Sequence, residues 1–522
     1  MINKDIEQYL SLDKSDLADK TRSFEVTPAE LLDTVSELLK IQNFQLKLIT
    51  ATDNRAEEGC FKVWYIFALP KENTSLIINV RVNDNLEFPS LTPIAHDAWN
   101  YERKIRSFFG LVPVGHPDTR QLLLHGNWPT DIFPLRKDFD WQERPEFSDG
   151  DYKFQKVEGE GIYELPVGPI HAGIIEPGHF RFSLAGEEIM LLEPLLGYTH
   201  KGSEKLFEIL PLSQTVKLSE KISGDSSFSH SWAYCIALEK LSDVRVLERA
   251  EYLRVIYAEL ERLANHLGDI GAIMLDTGFN FGGANGARLR EVIMQINEEL
   301  TGSRFLRGVN TIGGVTQDIS EEGELSLVNK LKHLQKDFSE VLEIAYGSTS
   351  LFNRLRDTGT ISYEVAKNHG VTGVVARCVG IETDARKDFA YSVYGQLFTN
   401  DIAIENTGDV LARFNVRVKE VESSLSLIFK ALETMPEGVI RADIGELKLK
   451  GNSMAISLIE GWRGEIVYFV TTDSQGRISR VAPKDPSFMN WTVVGTAGLG
   501  NMVPDFPLIN KSFNMSYTGF DL

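Results

Sequence analysis

Apolar and polar positions follow two different rhythms along this chain of 522 residues, and the rhythm changes near Gly168. Before that point short elements alternate. PAELLDTVSELLKI (28–41) and HDAWNYERKIRSFFG (96–110) carry the three-and-four spacing of amphipathic helices, and CFKVWYIFAL (60–69) and SLIINVRV (75–82) are strand-like runs. KDFDWQERPEFSDGDYKFQKVEGEGIYEL (137–165) is rich in charge and glycine with no amphipathic period, and reads as a linker. After Gly168 a hairpin-like segment, FRFSLAGEEIMLL (180–192), gives way to long helices. In ERAEYLRVIYAELERLANHLGDIGAIML (248–275), Leu253, Ile256, Leu260, Leu263 and Leu267 recur at steps of three and four, the seam of a buried helix. Further helices are predicted from Leu325 to Tyr346 and from Val410 to Leu432. VYFVTTDSQGRISRVA (467–482) predicts a hairpin turning at DSQG. GFNFGGANG (278–286) follows no strand and lacks G-x-G-x-x-G, so it reads as a loop and not a nucleotide site. The expected class is α+β: a small α/β domain (1–140), a linker (141–165), and a helix-bundle-centred domain with peripheral β hairpins (166–522).

Composition narrows the partners. The formal charge of −20 disfavours direct contact with nucleic acid or anionic lipid, which need a basic footprint. There is no run of about 18 uncharged apolar residues, and the start shows no leader pattern. The expectation is a peripheral protein on the cytoplasmic side of the membrane, attached only through partners. Cys60, Cys235 and Cys378 are too few and too scattered to ligate an ordinary iron–sulfur cluster, and fit core packing in a reducing compartment. No i, i+4 histidine pair or C-x-x-C argues for zinc.

Several motifs carry a family resemblance. YERKIRSFFG (101–110), GHPD (115–118) and PLRKDF (134–139) stand in the order and spacing of the 30 kDa subunit of respiratory complex I, a docking module without a cofactor. Lys104 and Ser107 stand where that family has acidic residues. GPIHAGIIEPGHFRF (168–182), THKGSEKLFE (199–208), SHSWAY (229–234), ERAEYLR (248–254), GVVARCVGIETDARKD (373–388) and DPSFMNW (485–491) together resemble the complex I 49 kDa subunit and the related NiFe hydrogenase large subunits. EPGHF and SHSWAY lie nearer the hydrogenase branch. Fusion of the two types in one chain resembles the formate hydrogenlyase-type large subunits.

The resemblance also marks what is missing. EKISGDSSFSH (220–230) and SFNMSYTGFDL (512–522) match the two segments in which hydrogenases carry a C-x-x-C pair holding nickel and iron. The four positions here are Ser223, Ser226, Ser516 and Gly519. Nickel and low-spin iron need soft anionic sulfur, whereas a serine hydroxyl is a hard neutral donor and glycine has none. The expectation is a hydrogenase-like fold without a NiFe centre, and no metal held by this chain.

Other chemistry is inferred residue by residue. Glu176 matches the hydrogenase glutamate that passes protons to the metals, a task that suits a carboxyl raised toward neutrality by burial. The alternative is that Glu176 and His179 hold the hairpin by hydrogen bonds. His171, His200 and His230 are candidates for a polar site with Glu176, although each also belongs to a packing motif. Ser223, Ser226 and His230 are candidates to line a polar cavity. Glu259, Arg262, His266 and Asp269 lie three or four apart on one helical stripe. Such a stripe is usually a solvated face, while the resemblance implies a proton relay. Arg377, Asp384 and Arg386 match a motif whose arginines face the metal cavity in the relatives, with structural ion pairing as the default. The tyrosine that binds quinone in complex I falls on Leu218 or Gly224, and its histidine partner on His171 or His179, so quinone reduction by that route is unsupported.

These readings predict the large subunit of a membrane-bound, ion-translocating redox complex. Its partners would be an iron–sulfur small subunit, a ferredoxin-like cluster-binding subunit and antiporter-like membrane subunits. Iron–sulfur clusters would reside in those partners, and quinone is a candidate acceptor. A non-catalytic assembly scaffold is the competing expectation.

Overall fold

The computed structural model describes Ile6 and residues 21–40, 44–72, 74–172 and 175–522. The rest of the N-terminal stretch, and Gly173 and Ile174 of the GPIHAGIIEPGHF segment, lie outside the described residues. The first unit is a four-stranded sheet of β1 (Thr21–Val26), β2 (Gln45–Asn54), β3 (Cys60–Leu69) and β4 (Thr74–Val82), ordered β1-β4-β3-β2. The β1–β4 pair is parallel and the others antiparallel. Helix α1 (Pro28–Lys40) buries Leu31, Val35 and Leu38, the face its periodicity marks. Helix α2 (Trp99–Phe109) ends on Gly110 at φ 70°, a left-handed cap that glycine adopts without a Cβ clash.

The second unit opens with an antiparallel sheet of β5 (Ile162–Val167), β6 (His179–Ala185) and β7 (Glu188–Leu195). Strand β5 begins inside the stretch that the sequence marks as linker. The helices α3 (Ser227–Ser242), α4 (Glu248–Asp276), α5 (Asn280–Thr301), α6 (Glu321–Tyr346) and α7 (Val410–Thr434) follow. A second antiparallel sheet of β8 (Met454–Gly461), β9 (Gly464–Thr472) and β10 (Ile478–Lys484) closes on them, with Gly476 N–H donating to Asp473 O across the DSQG turn. Helix α4 lies at the centre, flanked by α5 and α7, and is buried on almost every side. This matches the α+β expectation, with the helix bundle where the 253–267 seam predicts it.

GFNFGGANG departs from expectation. From Asn280 it is the start of α5 and not a loop. The reason is tertiary: a Cβ on Gly286 would lie 2.4 Å from Gly271 Cα, so the glycines let α4 and α5 touch backbone to backbone. Packing outweighs the roughly 1 kcal/mol that each helical glycine costs. Gly286→Ala is therefore expected to destabilise the chain by at least about 1–3 kcal/mol, the usual cost of overpacking, because neither backbone can yield. A denaturant midpoint unchanged from the parent would contradict this.

The two units share one apolar cluster, in which Leu48, Tyr65 and Ile105 from the first join Phe469, Phe488 and Trp491 from the second. Buried charged groups also bridge the same seam. Lys47 Nζ lies 2.5 Å from Glu465, and Arg480 reaches both Glu204 at 2.6 Å and Ala51 O at 3.1 Å.

Candidate functional site

The two segments read as degenerate metal-binding motifs are far apart in sequence, and the fold brings them together. Ser223 and Ser226 precede α3, and Ser516 caps the short helix α8 (Tyr517–Asp521) by accepting the Gly519 N–H at 2.9 Å. The Ser223 and Ser516 hydroxyls are 2.9 Å apart and buried. Ser223 Oγ is also 3.0 Å from Asp225 Oδ1. The carboxylate is the stronger acceptor, so Ser223 donates to Asp225 and Ser516 donates to Ser223. Arg463 holds Asp225 from the other side in a two-pronged pair, both contacts at 2.6 Å. Ser223 is thus held in hydrogen-bonded structure, and the buried Ser226 is tied in through its backbone, its N–H donating to Ser223 O at 3.0 Å and its carbonyl accepting the His230 N–H at 3.0 Å.

At the fourth position Gly519 faces a carboxylate. A Cβ there would lie 2.5 Å from Asp485 Cγ and 2.8 Å from each carboxylate oxygen. Asp485 in turn meets His230 Nε2 at 3.0 Å and accepts the Ser487 N–H at 2.7 Å, and His230 Nδ1 meets the Tyr468 hydroxyl at 3.1 Å. In a neutral ring these contacts select the tautomer in which Nε2–H donates to Asp485 and the Tyr468 O–H donates to Nδ1. Burial opposes ionisation of Asp485, but His230, Arg463 and Ser487 outweigh it and hold the carboxyl below its usual range. Four thiolates around nickel and iron do not fit this arrangement. Three positions offer hydroxyls, and the space a fourth side chain needs is filled by Asp485.

The turn between β8 and β9 organises the polar interior around this point. Trp462 donates to Asp225 O at 3.1 Å, and its ring lies 6.0 Å from that of His266. Arg463 donates to Asn514 O at 2.6 Å, and the Asn514 amide donates to Asp269 at 2.6 Å. Arg262 donates to the carbonyls of Glu460 and Gly461 at 2.8 and 3.1 Å. Glu460 pairs with Arg377 at 2.8 Å and accepts the Ala385 N–H at 3.0 Å.

The helical stripe is a buried network and not a solvated face. Glu259, Arg262, His266 and Asp269 are all at most 4% exposed. Glu259 pairs with Arg386 at 3.1 Å and accepts from the Tyr394 and Ser424 hydroxyls at 2.6 Å each. His266 Nε2 meets Glu420 at 2.8 Å, and Arg377 Nη2 lies 2.7 Å from the other oxygen of Glu420. Asp269 pairs with Arg417 at 2.9 Å, and Asp384 with Arg386 at 2.7 Å. Burial works against the Glu420 carboxylate, yet Arg377, His266 and Arg262 hold its proton affinity far below normal. Burial depresses His266. Arg377, Asp384 and Arg386 thus sit in ion pairs.

Other sequence candidates do not converge. His171 bonds Gly178 O at 2.7 Å, His200 bonds Asp521 O at 2.7 Å, and His230 bonds Asp485 and Tyr468, so the three histidines have separate partners. Glu176 is half-buried and accepts the Thr518 N–H at 3.2 Å, which ties its loop to α8. His179 keeps a 3.4 Å contact to Gly168 O. Sequence reasoning missed Glu420, Glu460, Arg463 and Asp225. The available signal was EGWRGE (460–465), four charged or aromatic side chains at the tip of an otherwise apolar hairpin.

Arrangement and sequence meet in one class, a fused two-unit chain of the complex I and hydrogenase type. The family described as respiratory-chain NADH dehydrogenase, 30 Kd subunit, matches residues 24–145, and the 49 Kd subunit family matches residues 276–453. Formate hydrogenlyase subunit 5 of Escherichia coli is 31% identical over 499 residues, covering 94% of this chain and 87% of that protein. Hydrogenase-4 component G of the same organism is 33% identical over 497 residues, 94% and 86% respectively. The C/D fusion protein of the NADH-quinone oxidoreductase of Phocaeicola vulgatus is 31% identical over 475 residues, 86% and 89%. The chain belongs to this family of hydrogenase- and complex I-related large subunits. The relatives are named as subunits or components, parts of larger assemblies. Among the described residues no helix is long and apolar enough to cross a membrane.

Proposed function

We propose that this chain is the large subunit of a membrane-bound redox complex that couples electron transfer from clusters in partner subunits to ion translocation, and that it holds no NiFe centre. The observation that carries the second half is the filled ligand set: Ser223 and Ser516 bonded to each other, and Asp485 where a side chain at Gly519 would go. The buried acids and arginines support the first half, since desolvating so many charges carries a cost that apolar packing of the same volume avoids. The implied partners are an iron–sulfur small subunit, a ferredoxin-like subunit and antiporter-like membrane subunits, and the membrane contact runs through them.

The scaffold reading is favoured by the loss of the thiolates alone. Gentle detergent purification from native membranes is expected to bring cluster-binding and antiporter-like proteins with this chain. The assembly is expected to move ions when given a ferredoxin, formate or quinone couple. Glu176→Gln and His230→Ala then discriminate, because a scaffold tolerates both once assembled. Full assembly with no redox-dependent ion movement under any of these couples would turn the argument to the scaffold.

A further inference from the structure

A cleft of about 560 Å³ lies on the seam between the two units and is lined by Lys47 and Asp97 from the first and by Asp384, Glu460, Glu465 and Lys484 from the second. Two charged clusters meet at it. On the inner side the network sets four carboxylates, Glu259, Asp384, Glu420 and Glu460, against three guanidiniums, Arg262, Arg377 and Arg386, with His266 beside them. On the outer side Lys47 and Lys484 share one acid, Glu465, at 2.5 and 2.9 Å. Of the inner acids, Asp384 and Glu460 line the cleft, and both are at most 3% exposed.

We propose that this cleft is a proton-exchange port, with Glu460 as the group that binds and releases the proton and Asp384, Arg377 and Arg262 as the charges set around it. The step moves no electrons. An O–H bond of hydronium in the cleft breaks, a new O–H forms on a Glu460 carboxylate oxygen, and the excess negative charge of the inner side is cancelled. Glu460 is faced by Arg377, by Asp384 and the Ala385 N–H, by Arg262 on its own backbone carbonyl, and by the Tyr391 hydroxyl on its N–H. Glu465 faces it from the paired strand and Lys484 from the far strand of the same sheet, Asp388 from beside Asp384, Lys47 and Asp97 from the first unit, and Glu420 through Arg377. Burial and the like charge of Asp384 raise the carboxyl to about 7 against the pull of Arg377 and Arg262. His266 is the poorer holder, because its Nδ1 is buried without a partner and a second N–H there would be stranded. The port deepens the redox reading by giving the interior a route to water, but its existence is a property of the folded chain alone.

The test is an infrared pH titration of the purified full-length chain with no electron donor present, so failure here is separable from failure of ion movement. The protein is expected to show a protonated-carboxyl C=O band that grows as pH falls through about 7 and shifts in D₂O. Glu460→Gln is expected to remove that component. Asp97→Asn and Glu261→Gln are titrated alongside, because burial lifts those carboxyls to about 7 as well. Labelling glutamate with carbon-13 in the unmodified chain separates Glu from Asp should a variant fail to fold. Lys484→Met should raise the midpoint, by up to about one pH unit or a tenfold change in proton affinity. A glutamate band unchanged in Glu460→Gln, or no glutamate titration between about pH 5 and 9, overturns the port.

Discussion

Replacing Arg377 by methionine is expected to destabilise the chain by about 3–5 kcal/mol, the cost of breaking a buried ion pair from one side. Arg377 has no exposed surface, and its guanidinium lies 2.7 Å from Glu420, 2.8 Å from Glu460 and 3.5 Å from Asp384. Without it Glu420 and Glu460, each at most 3% exposed, lose their common cation. Only part of the loss is recovered by protonating Glu460. Since the Glu460 carboxyl is raised from 4.5 to about 7, the folded state holds a proton that the unfolded chain releases first. Stability therefore falls as pH rises through that window and levels off above it. Arg377→Met should carry this fall to higher pH. Arg288→Ala is the control: the Arg288–Asp337 pair is 49% and 43% exposed, and its loss should cost no more than about 1 kcal/mol. Equal denaturant midpoints for the two variants would sink the claim that the network is held by its buried charges.

The second large effect concerns the four positions that resemble the metal-ligand positions of hydrogenases. Restoring cysteine at Ser223, Ser226, Ser516 and Gly519 together is expected to yield a chain without stoichiometric nickel, even when made in a host that matures NiFe hydrogenases. Gly519 is the obstacle. A Cβ added there would lie 2.5 Å from Asp485 Cγ, and Asp485 is itself pinned by His230 and Ser487. Gly519→Ala isolates the steric part and should cost about 1–3 kcal/mol by overpacking. Adding Asp485→Ala should relieve that cost while leaving His230 without its acceptor. One nickel per chain in the four-cysteine variant, by metal analysis, would show that the pocket still opens for the cluster and would reverse the proposal.

Much of the fold was legible before any coordinates. The 253–267 apolar seam marks α4, and the runs at 60–69 and 75–82 mark strands β3 and β4, because side-chain period reports which face is buried. GFNFGGANG misled because glycine's local preference was weighed without the helix that it packs against. The 259–269 stripe leaves two readings open in the sequence, a solvated face and a relay, and burial removes the first. Four ionisable residues on one helix face look like a solvated surface until their counterions appear, and those counterions lie on other segments: Glu420 is 154 residues from His266, and Arg386 is 127 from Glu259.

What the sequence by itself determined is chemical inventory and local rhythm: three cysteines, none at the four ligand positions, an acidic balance of charge, and the order of helices and strands. No fold can supply a thiolate that the chain does not encode. What only the tertiary structure decided is which groups meet. It set the Ser223 hydroxyl against Ser516, 293 residues away, placed Asp485 over Gly519, and joined the first unit's Lys47 to Glu465 across 418 residues. Contacts at such separations follow from the packing of whole elements around a shared core, and spacing along the chain carries no trace of them.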